Sequence, residues 1–275
     1  VTNDMPMRSY TSLFAFCLVL VVFLPRLAFA LPAGTEQIAG EMSTFAPTAK
    51  ELQITASDGA ILHHLSFHVA TDETVRFIQP GTDARVLNRI TGAGPSRIDG
   101  QLLGNGHVYI VNPAGVIFGS SSTVQVGKLH AIAGVMADQD FLAGVDRYSS
   151  LSGEIQNQGS ITAGEVVLAG ATLSNSGRII APDGLVVLAA GSALEVASAT
   201  DSITVSLESP APGSENAGAL LSVGDLAGQA LWHSGVVEAS RLEIHASAMV
   251  VSGQATAQSV NVGSFRSLVQ TEGSL

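Results

Sequence analysis

Residues 104 to 119 read GNGHVYIVNPAGVIFG, and this stretch decides how the rest of the chain is read. Two short apolar runs, His107 to Val111 and Val116 to Phe118, flank the tetrapeptide Asn112-Pro113-Ala114-Gly115. Proline suits the second position of a tight turn because its φ is already set. Asparagine can bond its own backbone from the first position, and glycine suits the fourth. The bend between the two predicted strands is therefore encoded locally.

Downstream of this bend the sequence becomes periodic. NQGSI (157–161) recurs as NSGRI (175–179), an offset of 18, and GEVVLAGATL (164–173) recurs as GLVVLAAGSAL (184–194), an offset of about 20. HSGVV (233–237) lies 58 residues beyond NSGRI, close to three such periods, and VSGQA (251–255) follows 18 later. A unit of this length, holding two or three strands broken by Gly and Asn, is what one coil of a parallel β-helix requires. Glycine is expected to supply positive φ at the corners, while asparagine tolerates the left-handed region and stacks on its equivalent one coil away. At the usual strand spacing, a chain of this length would wind about a dozen coils, a rod on the order of 60 Å long.

Upstream, 31–47 shows no strong period and reads as an entry segment. ELQITA (51–56) and ILHHLSFHV (61–69), separated by Ser57-Asp58-Gly59-Ala60, read as a hairpin-like pair. Thr74 to Ile78 is a further strand, Ala131 to Leu142 is ambiguous between strand and helix, and SPAPGSENAG (209–218) reads as a loop leaving the rod.

The composition agrees with thin strand layers. Hydrophobic residues make up 46% of the 275, but aromatics only 5% and charged residues 13%, so the core must be built from small and β-branched side chains. The formal net charge is −11, and Lys50 and Lys128 are the only lysines. Nothing resembles the basic stripe that a phosphate backbone needs, so no nucleic-acid partner is expected. Near the N-terminus, Arg8 precedes twelve apolar residues, Leu13 to Leu24, followed by Ala28-Phe29-Ala30. This is the pattern of a secretory signal peptide, 1–30, cleaved after Ala30. The run is short for a membrane span and Arg26 interrupts it, so no stable span is expected after cleavage. The single cysteine, Cys17, falls inside that signal, leaving no disulfide or thiol chemistry. The chain opens on Val1 and stops at Leu275 inside what reads as another coil, which points to an alternative start or to a fragment of a longer protein.

Motifs for catalysis are weak. His64 and His68 fall on one face of a strand, a possible metal pair without a third ligand nearby, and surface or capping roles suit them better. GSSSTVQVGK (119–128) has the wrong spacing for a phosphate loop, and Gly92-Ala93-Gly94 and Gly104-Asn105-Gly106 lack the strand-then-helix context of a dinucleotide site. Asp99, Asp138, Asp140 and Asp183 are scattered between turns, where an enzyme of this architecture would need grouped carboxylates with a basic residue on one face. No catalytic residue, metal or cofactor is assigned.

Taken together, NRITGAGPSRIDGQL (88–102), the NPAG bend and TVQVGKLHAIAG (123–134) resemble the secretion domain at the N-terminus of filamentous-haemagglutinin-like exoproteins, the cargo of two-partner secretion. The resemblance is good over roughly 52–194. That family carries NR(V/I)TG, then an NPNG(I/V) turn, then N-x-G-x-I and G-x-(V/I)-x-L-A-x-G elements, and Ala114 replaces its second asparagine. The resemblance implies an all-β, right-handed parallel β-helix over 31–275, with an N-terminal cap at about 31–70, coils at about 71–275 and small extra-helical strands or hairpins. It implies a non-enzymatic exoprotein, secreted or held at the cell surface by way of the periplasm. Its partner would be an outer-membrane transporter, and a host-cell or carbohydrate ligand is possible. Asn112, Pro113, Gly115, Asn88, Arg89 and Gly92 are the motif residues carried over, for transporter recognition or for shaping the turn. A β-helical lyase or hydrolase and a cell-attached structural adhesin module are the alternatives.

Overall fold

The computed structural model describes residues 31–199, 202–208 and 230–270; the expected signal peptide (1–30) and the expected loop (209–218) lie outside the described residues. Short strands from successive turns stack in parallel, in register, on three faces. Face 1 begins with Glu51–Ala56, face 2 with Ala60–His64 and face 3 with His68–Val69. On face 1 the inward column runs Leu52, Val75, Leu102, Val124, Ile161, Ile179, Val237, Ala255. On face 2 it runs Val86, Val108, Leu129, Val166, Val186, Leu242. These are small or β-branched side chains for the most part, and most are fully buried. Stacking like on like lets each rung present the next with a surface of the same shape, and the result is the expected parallel β-helix.

The described residues form eight rungs, not about a dozen, a stack of roughly 35 Å at the usual strand spacing. The difference has two causes. Early corners are long: Val75 pairs with Leu102, 27 residues on, and Leu102 with Val124, 22 on. Moreover, Asn175 pairs directly with His233, so the interval of 58 is one turn carrying a large excursion and not three turns. Uninterrupted later turns do repeat every 18 or 20 residues, as Asn157↔Asn175 and Val166↔Val186 show.

Winding starts at Glu51, whose strand already pairs in parallel with Thr74–Ile78. Glu51–Ala56 and Ala60–His64 do not form the expected hairpin; they lie on adjacent faces, and Gly59, with φ +72°, turns the corner between them. The hairpin is made instead by Met42–Thr48 with Glu51–Ala56, while Glu36–Ala39 pairs antiparallel with Ala60–His64 and Ala33 bridges Ser66. These three antiparallel pairings cover the backbone edges that the first rung would otherwise expose. The strand alternation was hidden in 31–47 because nearly every side chain there is exposed or half-buried.

Glycine at the Asn-x-Gly corners serves a purpose other than positive φ. Among the described glycines only 34, 40, 59, 115 and 144 have positive φ. At the corners the constraint is contact: a Cβ on Gly177 would lie 2.2 Å from the carbonyl oxygen of Gly159, and one on Gly235 2.0 Å from that of Gly177. The asparagines do stack as expected. Asn157 donates its amide to Asn175 Oδ1 at 2.8 Å, and Asn175 Nδ2 lies 3.0 Å from His233 Nδ1, all inside the coil.

Two excursions leave the coil beside face 2. Residues 133–153 hold the helix Asp138–Ala143 and the strand Asp146–Tyr148; the hairpin Ala193–Ala199 with Ser202–Glu208 pairs with that strand to make a small antiparallel sheet. The stretch 131–142 is thus strand first and helix second. A second core forms where Leu87, Tyr109, Ile132 and Val187, pointing outward from face 2, meet Met136, Phe141, Tyr148 and Leu194 of the excursions.

Replacing Gly177 with Ala should lower unfolding stability by about 1–3 kcal/mol, because backbone and not a flexible side chain blocks the methyl. The matched control, Gly81→Ala, meets nothing within 4 Å and should be neutral or slightly stabilising in the same denaturant titration.

Candidate functional site

Asn112, Pro113 and Gly115 form the corner where the third rung turns from face 2 to face 3. Asn112 is fully buried and every polar atom of its side chain is used: Nδ2 donates to Gly94 O and Ser96 Oγ, both at 3.0 Å, and Oδ1 accepts the Ala114 N–H at 3.0 Å. The Gly115 N–H closes the turn on the Asn112 carbonyl at 2.9 Å. Gly115 has φ +118°, and a Cβ there would stand 2.7 Å from Glu154 O. Pro113 is exposed, and its carbonyl accepts the Ser152 hydroxyl as the excursion rejoins the coil. Ala114 is exposed too, so the missing second asparagine leaves no vacancy in the core.

Asn88 and Arg89 sit one rung earlier and point to opposite sides. Asn88, fully buried inside the coil, donates to the Tyr109 carbonyl and accepts from His64 Nε2, both at 3.0 Å. Arg89 points outward, ion-pairs with Asp138 at 2.6 Å and donates to the Met136 carbonyl, so it fastens the excursion to face 2. Gly92 is required by close approach, since a Cβ would lie 2.1 Å from Leu65 O. Each of the six residues is thus held by its own bonds or close contacts, and Pro113 with parts of Arg89 and Gly92 reaches the surface.

The histidines take capping and local roles. His64 bonds Thr35 of the cap at 3.0 Å, His63 contacts Arg89, and His68 accepts the Arg97 N–H, so His64 and His68 do not converge. Asp99 pairs with Arg97, Asp138 with Arg89 and Asp140 with Arg147, while Asp183 lines an open groove of about 870 Å³ along the rod.

One charged cluster escaped the sequence reading. His130 lies between Glu165, 3.1 Å from its Nε2, and the Tyr148 hydroxyl, 2.5 Å from its Nδ1, with Asp146 3.9 Å away and bonded to the Tyr109 hydroxyl. Lys128 donates to Glu165 at 3.0 Å. Burial by itself would raise the Glu165 carboxyl; the hydrogen bond and charge of His130, with Lys128, outweigh it and hold Glu165 at about 2. Burial, reinforced by Asp146, pushes both tyrosine hydroxyls up. One atom each from His130, Asp146 and Glu165 lie within 4.8 Å of one another, the spacing of metal ligands. Yet the two ring nitrogens face different carboxylates and each already has a hydrogen-bond partner, so the cluster is a satisfied polar network under the excursion. His130, Asp146 and Glu165, separated by 16, 19 and 35 residues, share no sequence period because the excursion comes between them.

The model of the TPS secretion domain matches residues 30–273, nearly the whole chain. The chain belongs to that family. The secretion domain of HMW1 from Haemophilus influenzae superposes with a TM-score of 0.74 at 21% identity, covering 88% of this chain and 68% of that one. The filamentous hemagglutinin secretion domain superposes with a TM-score of 0.53 at 15% identity, covering 89% and 99%. At these identities the likeness is one of fold. Among curated proteins, a heme/hemopexin-binding protein of Haemophilus influenzae is 35% identical over 103 residues, which is 37% of this chain and 11% of that protein. The secretion domain thus matches a small part of a much longer relative. Its family is one of exported proteins served by an outer-membrane transporter, not an enzyme family. Among the described residues no helix is long and apolar enough to cross a membrane.

Arg89→Ala should release the excursion while leaving the coil wound. The expected cost is about 1–2 kcal/mol, with faster amide exchange in 136–141 and an unchanged far-ultraviolet β signal.

Proposed function

We propose that this secretion domain delivers an adhesive or otherwise surface-interacting exoprotein through the periplasm to a dedicated outer-membrane transporter, and that its motif residues act twice. In the extended chain, before folding, Asn88, Arg89, Gly92, Asn112, Pro113 and Gly115 are open to the transporter's periplasmic domains. After export they hold the first three rungs together. The supporting observation is burial: Asn112 and Asn88 are fully enclosed in the folded domain, so any contact their amides make with a transporter must precede folding.

Physical chemistry favours the same order. An edge strand can accept or be held by a partner strand, which suits an extended cargo, and each completed rung templates the next once the chain emerges. A host-cell or carbohydrate surface is the kind of ligand that fits the exported location. Of the carboxylates that could have served catalysis, Asp99, Asp138 and Asp140 are paired with arginines and Asp183 stands apart from them in the open groove, and this lack of grouping supports a non-enzymatic role.

Asn112→Ala tests the reading. It removes three side-chain hydrogen bonds, and the amount of protein in the medium should fall several-fold while the periplasmic pool rises. Undiminished export would remove Asn112 from the account.

A further inference from the structure

We infer that His64 is an acid-sensitive lock on the N-terminal cap: proton uptake by its ring releases the cap strands from the first rung. The inference rests on how the ring is enclosed. His64 is fully buried inside the coil at the capped end, with the Phe67 ring packed edge-on at 5.3 Å. Its hydrogen bonds fix one tautomer. Asn88 Nδ2 is committed to the Tyr109 carbonyl, so Asn88 Oδ1 must accept from Nε2–H, and Nδ1 is left to accept the Thr35 hydroxyl. Thr35 precedes the cap strand Glu36–Ala39, so this side-chain bond between coil and cap, which adds to the backbone pairings, ends on the one ring nitrogen that is free to take a proton.

Among the described residues no anion faces that ring. On its own strand the neighbouring titratable group is His63, which points outward to Arg89. On the cap, Glu36 is registered with His63 and lies on that outer side, and from the next rung Asn88 and Ile90 face the ring. The contrast with His130 is direct, since carboxylates stand on both sides of that imidazole.

Burial, only partly offset by the Asn88 bond and reinforced by His63, lowers the His64 imidazole from 6.5 to about 4. An opened cap binds the proton first, so the cap's hold is whole above about pH 6.5 and is lost as the pH falls toward about 4. His233 is also buried without a facing carboxylate and is also lowered, but it sits in the sixth rung and reports from other segments.

Hydrogen exchange of the purified protein, corrected for intrinsic rates, tests this at pH 7.5, 5.5 and 4.5. Protection of 36–48 should drop roughly fifty- to a hundredfold between the extremes, while 138–148 keeps its protection. His64→Gln should make protection of 36–48 independent of pH over that range. Unchanged protection of the cap at pH 4.5, or a variant that keeps the acid-dependent loss, overturns the inference. Should the variant fail to fold, NMR of the unsubstituted protein decides: the His64 ring should stay neutral until the cap opens, and a ring that charges near pH 6.5 with the cap intact overturns it.

Discussion

Everything in this domain depends on the parallel ladder of backbone hydrogen bonds between one rung and the next. A rung alone is three short strands that do not pair with one another; Ala60–His64, for instance, bonds to the rung after it and to the cap, not to its chain neighbours. Each rung therefore becomes stable only against its predecessor, and the first needs a substitute for one. Glu36–Ala39 and Met42–Thr48 provide that substitute by pairing antiparallel with it. An uncovered edge would be open to pairing with other chains.

The same ladder dictates which side chains are tolerated. Residues one turn apart lie about 4.8 Å from each other, so unlike sizes in one column leave voids or clashes. Columns such as Val86, Val108, Leu129, Val166 and Val186 answer this with near-repetition. Where a column holds a polar group, the group above satisfies it, as Asn175 does for Asn157. At the corners the backbone of consecutive turns comes so close that only glycine fits.

One buried network of charged and aromatic residues forms where repetition is interrupted. The excursion from 133 to 153 covers face 2, creates a second core, and encloses Glu165, His130, Asp146 and two tyrosines. Arg85 and Arg89 anchor it from the coil side, each donating to a carbonyl of the excursion. Residues of the family motif thus connect the regular and irregular parts of the molecule: Asn88 faces into the coil and Arg89, its neighbour, outward to the helix.

The sequence by itself determined the parallel β-helix, the NPAG turn, the 18-residue asparagine repeat and the resemblance to a secretion domain. These are all properties of local turn chemistry and of periodicity, which pair residues at a constant offset. What the tertiary structure alone decided lies where the offset is not constant. The pairing of Asn175 with His233 across an excursion, the antiparallel cap and the His130 network each join residues whose separation is set by corners and excursions of arbitrary length. The same holds for the purpose of the corner glycines, because a clash with the preceding turn exists only once that turn is in place. Residue type revealed that His64 belonged near a cap or a surface. Only the winding could seal its ring inside the coil against Thr35 and Asn88.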